Sequence, residues 1–284
     1  MTHRRPILVD IDGSNAGWSA LRWAASEANR RSLPLQLICS YSPRIVSTYG
    51  SMYNSAWEQA GRADRRLAED LLSEAIEWIG RCYPLCGMEA GTIEGDRVRV
   101  LLDLAPDTDS LVIGARSTGL MGFHSVDPVA RSLTAHAGKP VILVQQEPLP
   151  AGERAPIVVF SRFDHPAGPA LNYGFEHARH YNTRLRVVRW QPTGWWTHAQ
   201  RNKASWYATE ELLFDELATW RSRYPDVSAT GAVRPAARLP LECAGAQLLI
   251  VGEPRNPRWY WRRPRELRTL CQARRPTASI PNER

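Results

Sequence analysis

The chain carries one unit written twice. The run from Ala20 to Ala28 matches the run from Ala170 to Ala178. LPLQLICSYSP (33–43) matches TRLRVVRWQP (183–192), LVIGA (111–115) matches LIVGE (249–253), and GKPVILV (138–144) matches RRPTASI (274–280), in the same order. A fold that satisfies one half must therefore be laid down a second time. Between the copies lies QEPLPAGERAP (146–156), rich in Pro and Gly and free of apolar periodicity, as a joint should be. The expected domains are 1–147 and a more degenerate copy over 154–284.

Each copy alternates strand and helix. Ile7–Asp10 reads as a buried strand, and Ala16–Arg31 carries Trp18, Leu21, Ala24, Ala25 and Ala28 at helical spacing. Leu35–Cys39, Met88–Ile93, Ser110–Gly114 and Val141–Gln145 read as further strands. Trp57–Cys82, Val98–Ala105 and Val126–Ala137 read as helices. Continuous apolar strands separated by helices imply a parallel sheet covered on both faces. Ligands of such sheets sit beyond the carboxyl ends of the strands, where the strand order reverses.

The bulk numbers exclude several classes. The 284 residues are 43% hydrophobic and 23% charged, normal for a globular protein. The apolar runs are strand-sized, so no membrane span is expected. The basic start MTHRRP meets Asp10 and Asp12 too soon for a signal-peptide core, and a cytoplasmic protein follows. The net charge is +7, nearly all of the basic residues being arginine, which is weak evidence for an anionic partner. Five cysteines, an odd number, argue against a disulfide framework, and Cys82 and Cys86 lack a second pair for zinc.

ILVDIDGSNAGWSALRWAASEANRRSLPLQLICSYSP (7–43) and DTDSLVIGARS…SLTAHAGKPVILV (107–144) resemble the two ends of the universal stress protein family. The resemblance extends over nearly the whole chain, twice, as in tandem members from actinobacteria. It implies two flavodoxin-like α/β units, each a parallel sheet of order 3-2-1-4-5 with helices on both faces. It also implies ATP or a related adenine nucleotide held by Gly-x2-Gly-x9-Gly-[Ser/Thr]. There, open glycine backbone and a helix N-terminus cradle phosphate. An Asp at the end of the first strand helps hold the nucleoside.

Carried over residue by residue, the motif survives only in part. Asp12 matches the strand-end Asp and Gly114 the first glycine, but Ser117 replaces the second glycine, Asp127 the third, and Pro128 the Ser/Thr. The hydrogen bond lost at Pro128 is worth about 1.5–3 kcal/mol. The Asp127 charge repels phosphate by roughly 3 kcal/mol at about 5 Å and an effective dielectric near 20. Together these weaken a triphosphate site by roughly three orders of magnitude. Arg116 and Arg131 offset part of that. No cofactor is required on this reading; ATP is expected at most weakly, in the first domain, through Asp12, Gly114, Arg116 and Ser117.

The second copy departs further. Arg162 stands at the position of Asp12, Arg255 at the second glycine, and no glycine follows. GEPRNPRWYWRRPRELR (252–268) interleaves Trp259, Tyr260 and Trp261 with arginines. That pattern suits a filled or contact surface, and no nucleic-acid motif accompanies it. Aromatic loops at 44–59 and around Trp195, Trp196 and Trp206 are read first as packing, with a wall of a pocket, or for the second loop a cap on the cleft mouth or a partner contact, as the alternatives. His177 and His180 lie three apart on a helix beside Glu176, without a third metal ligand, and are read as a solvated face. Asp10 and Asp12 have no evident partner base, Ser14 no matched histidine, and GDR (95–97) reads as a helix start capped by Asp96 rather than a site.

No catalytic constellation emerges. The resemblance implies a regulatory or protective binding protein with degraded ATP motifs, acting through protein or small-ligand contacts. The alternatives are a nucleotide sensor using the first domain and a weak ATP hydrolase, for which only Asp12 and the cleft speak. In the family the last strand often pairs with its counterpart. Val141–Val144 and Thr277–Ile280 are therefore expected as neighbours in an intrachain pseudo-dimer, with a homodimer as a further assembly. Neither nucleic acid nor a membrane is expected as a partner.

Overall fold

The structure is a computed structural model that describes residues 4–42, 54–115, 127–145, 152, 154–162, 167–191, 203–235, 238–252 and 274–281, with 54–60, 162, 191 and 203–206 described in backbone only. The chain divides into two compact units, and between Gln146 and Glu147 it passes from the first to the second.

The first unit contains β1 (Ile7–Asp10), α1 (Asn15–Arg31), β2 (Leu35–Tyr41), α2 (Asn54–Cys82), β3 (Met88–Glu94), α3 (Arg97–Leu104), β4 (Ser110–Ala115), α4 (Pro128–His136) and β5 (Val141–Gln145). Its strands are parallel in the order β3-β2-β1-β4-β5. The apolar runs become central strands because both faces are covered. Ile7, Val9, Leu35, Leu37, Val112, Val141 and Ile142 are fully buried. Order reverses between β1 and β4, which places the crevice beyond Asp10 and Ala115.

The second unit repeats the plan with β6 (Ile157–Arg162), α5 (Gly168–His180), β7 (Leu185–Gln191), α6 (Lys203–Arg223), β8 (Ala229–Pro235), α7 (Leu239–Cys243), β9 (Leu248–Gly252) and β10 (Thr277–Ile280). The order is β8-β7-β6-β9-β10, again parallel. The ladders confirm the internal alignment. Ile7 faces Leu35 and Ser110 as Ile157 faces Leu185 and Leu248.

Local signals explain the helix ends. Ser14 caps α1, its hydroxyl accepting from the Gly17 N–H at 3.0 Å. Ser32, left-handed at φ 52°, closes the helix with its N–H on the Ala28 and Asn29 carbonyls. Asp96 caps α3 as expected, accepting from the Arg99 N–H at 3.0 Å.

Candidate functional site

A charge cluster sits beyond the strand ends of the first unit, where its strand order reverses. Asp10 ends β1 and is 1% exposed. Asp12 follows in the turn to α1. Its Oδ1 accepts from both the N–H and the hydroxyl of Ser14, at 3.0 and 2.5 Å. Ser14 in turn holds the first turn of α1, so the helix start fixes the Asp12 carboxylate. Gly17 is required here, because a Cβ on it would lie 2.5 Å from Asp12 Oδ1.

Arg97, the first residue of α3, joins the two carboxylates. Its Nε donates to Asp10 Oδ2 at 2.5 Å, its Nη2 also contacts that oxygen, and its Nη1 donates to Asp12 Oδ2 at 3.0 Å. The GDR turn is the helix start read from the sequence, and its arginine also joins the charge cluster. Asp96 caps the helix, and the next residue reaches back across the strand ends. Asp10 and Asp12, read as a pair without a partner base, share a cation instead.

Burial decides the electrostatics. Desolvation pushes the Asp10 carboxyl up to about 6, against the lowering influence of the charge and hydrogen bond of Arg97; Asp12 and Asp127 add to the rise. Burial alone would lower the Arg97 guanidinium, yet Asp10, Asp12 and Asp127 hold it above its ordinary value. Cys39 on β2 is buried beside the cluster, and desolvation, then Asp10 and Asp12, push its thiol up to about 11. It therefore stays protonated and is no nucleophile at neutral pH.

Asp127 has a positive role as well as the repulsive one read from sequence. It is the N-cap of α4, its Oδ1 accepting from the Val129 N–H at 2.8 Å, with Pro128 at the first helical position. Gly114 also has a local reason to be glycine. A Cβ there would lie 2.4 Å from the Ala16 carbonyl carbon and 2.5 Å from the Gly17 nitrogen. It lets β4 abut the first turn of α1, whatever the cleft holds.

An adenine nucleotide, implied by the resemblance, fits these residues poorly. The α4 N-terminus that would cradle phosphate already serves the Asp127 carboxylate. Asp12, which would hold the nucleoside, is engaged by Ser14 and Arg97. Three carboxylates face one guanidinium where a polyanion would bind.

The structure brings together Asp12 and Gly114 of the residues expected at the site. Arg116, Ser117, Arg255 and the Trp259–Trp261 stretch lie outside the described residues, as do residues 44–53 and Trp195 and Trp196. Arg162 is described in backbone only, at the end of β6. His177 corrects the reading of a solvated helix face. It is 1% exposed, stacked at 3.9 Å on Tyr173, with Nδ1 2.8 Å from the Tyr173 carbonyl oxygen. His180 and Glu176 are exposed. Among the described residues no cluster of His, Cys, Asp or Glu is arranged to hold a metal, and no helix is long and apolar enough to cross a membrane.

Comparison with known proteins gives a consistent picture. The universal stress protein family profile matches residues 3–145. Universal stress protein Rv2623 of Mycobacterium tuberculosis is 27% identical over 263 residues, covering 87% of this chain and 85% of that protein. A universal stress protein of Mycolicibacterium smegmatis is 27% identical over 256 residues, covering 87% and 86%. A universal stress protein from Archaeoglobus fulgidus superposes with a TM-score of 0.65 at 13% identity, covering 98% of this chain and 96% of that one. By its repeated α/β plan, its strand order and these matches, the chain belongs to the universal stress protein family.

Proposed function

We propose that this is a regulatory or protective binding protein that does not depend on ATP and acts through protein or small-ligand contacts. One observation carries the reading. The Arg97 bridge between Asp10 and Asp12 engages Asp12, the carboxylate on which a nucleoside would rely. The Asp127 cap adds to it by engaging the α4 N-terminus. Such a protein works by what it holds or contacts, not by turnover. A second reading, an adenine-nucleotide sensor acting through the first unit, is favoured by Asp12 and Gly114 standing at the ends of β1 and β4.

Calorimetric titration of the whole chain with ATP separates the two. The leading reading expects binding about a thousandfold weaker than an intact phosphate loop gives. Tight binding at one site per chain supports the sensor instead, and phosphate release on top of it identifies a hydrolase. Two tight sites per chain contradict the reading of both units.

Replacing Asp127→Gly together with Pro128→Ser is expected to strengthen ATP binding while weakening α4 by only about a few tenths of a kcal/mol through the lost cap, because glycine is itself a tolerated cap residue. It removes a repulsive charge, restores a backbone donor and frees the Val129 N–H. Adding Ser117→Gly relaxes the loop further. If the triple variant binds ATP no better than the parent in the same calorimeter, the first cleft is not a decayed phosphate site.

A further inference from the structure

The internal repeat supplies its own control for the charge cluster. Asp10 occupies on β1 the ladder position that Phe160 occupies on β6. Phe160 is 1% exposed, so this position of the fold accepts an apolar side chain and has no structural need of a carboxylate. The counterpart of Arg97, counted from the same ladders, is Arg238, which is exposed. The bridge therefore belongs to the first unit alone.

Burying a carboxylate where an apolar side chain fits sacrifices stability, and such sites are where function is to be sought. The arrangement is also incomplete. Asp10 Oδ2 takes the Arg97 contacts, while Oδ1 is buried without a hydrogen-bond partner. Arg97 is the more exposed half of the pair, a long side chain 24% exposed at the head of a short helix, against 1% for Asp10. It shields Asp12 Oδ2, the one oxygen of that carboxylate not taken by Ser14.

We propose that Arg97 is a built-in plug of the first cleft, released when Asp10 takes up a proton, and that the ligand then admitted is a small uncharged molecule whose hydroxyl groups donate to Asp12. The inference rests on the reading that the cleft rejects triphosphate, and it adds the ligand class and the trigger.

Charge sets the class. With the guanidinium turned out, Asp12 and Asp127 face the opening, so an anion is repelled and a neutral donor of hydrogen bonds is favoured. Asp10 is positioned to act as the trigger. The groups that bear on it are Arg97 from α3, Asp12 from the following turn, Asp127 from the head of α4, and Cys39 from β2. Burial brings its carboxyl to about 6, within reach of mild acid. Once it is neutral, its charge no longer holds the guanidinium, which already touches solvent and keeps its ion pair with Asp12 and the more distant attraction of Asp127.

Adenosine is the test probe, because it is uncharged throughout the range and carries paired hydroxyls. Calorimetry on the full chain should show its affinity rising about tenfold from about pH 7 to about pH 5. Asp10→Asn, the neutral isostere, should bind at the acid level at both values, and so should Arg97→Gln. Asp12→Asn should bind at neither. AMP, one phosphate larger, should bind the wild-type chain more weakly than adenosine in acid. Circular dichroism verifies that each variant is folded; if one of the first two is not, the other carries the test. Adenosine binding that is absent, or equal at both values in wild type and Asp10→Asn, overturns the proposal. Tight ATP binding in parallel overturns instead the reading on which it rests.

Discussion

Replacing Gly114 by alanine is expected to destabilise the first unit by about 3–4 kcal/mol, although it adds one methyl group. The added Cβ would meet the Ala16 carbonyl carbon at 2.4 Å and the Gly17 nitrogen at 2.5 Å. Both are backbone atoms, so no rotamer change relieves the clash. Nor is the first turn of α1 free to retreat. Ser14 caps it, Asp12 holds Ser14, and Ala20 and Ala24 are fully buried beneath it. The repeat again provides the control. At Gly252, the counterpart of Gly114, a Cβ would meet among the described residues only the Ala170 Cβ, at 3.3 Å. Gly252→Ala is expected to change stability by about 1 kcal/mol or less. Urea denaturation of the two variants measures the contrast, and similar midpoints would refute the packing explanation of Gly114.

The second large effect is in the pH dependence of stability. Asp10 titrates at about 6 in the fold against 3.8 for an ordinary aspartate carboxyl. Between those values the folded chain holds a proton that the unfolded chain has released, so raising the pH favours unfolding. The stabilisation is fully present below about 3.8 and is lost as the pH rises through about 6. A rise from 3.8 to about 6 corresponds to about 3 kcal/mol. Asp10→Asn should flatten that part of the profile, whatever it does to absolute stability by leaving Arg97 with one carboxylate fewer. Unfolding free energies of wild type and variant, taken across the window, supply the comparison; parallel profiles would show that Asp10 does not titrate in this range.

Much of the fold was legible because it rests on short-range patterns. ILV, LQLI and VILV are runs that only a two-sided core can bury, and the repeat doubled every reading. The Asp96 cap was legible for the same reason: its bond spans three residues. The Arg97 bridge was not, since Asp10 and Arg97 are 87 residues apart and meet only because β1 and the head of α3 share one end of the sheet. A signal was present, however. A carboxylate ending a central apolar strand must find a cation, and the nearest arginine after the third strand was in GDR. His177 was misplaced because its polar neighbours in sequence, Glu176 and Arg179, mask its register with Ala170, Gly174 and Ala178. The aligned residue in the first copy, Glu27, is buried too, at 1% exposure.

Gly114, singled out in the sequence for phosphate approach, has a packing role that the sequence does not show. A glycine at a strand end suits phosphate approach and close helix packing alike, and only the distances to Ala16 and Gly17 separate the two.

The central claim is that the first cleft is held closed by the chain's own charged groups. Crystals grown with millimolar ATP and magnesium test it directly. The account predicts density for Arg97 between Asp10 and Asp12, the Asp127 carboxylate on the Val129 N–H, and no triphosphate at the head of α4. A triphosphate seated there, with Asp127 turned away and Arg97 withdrawn from Asp12, would contradict it.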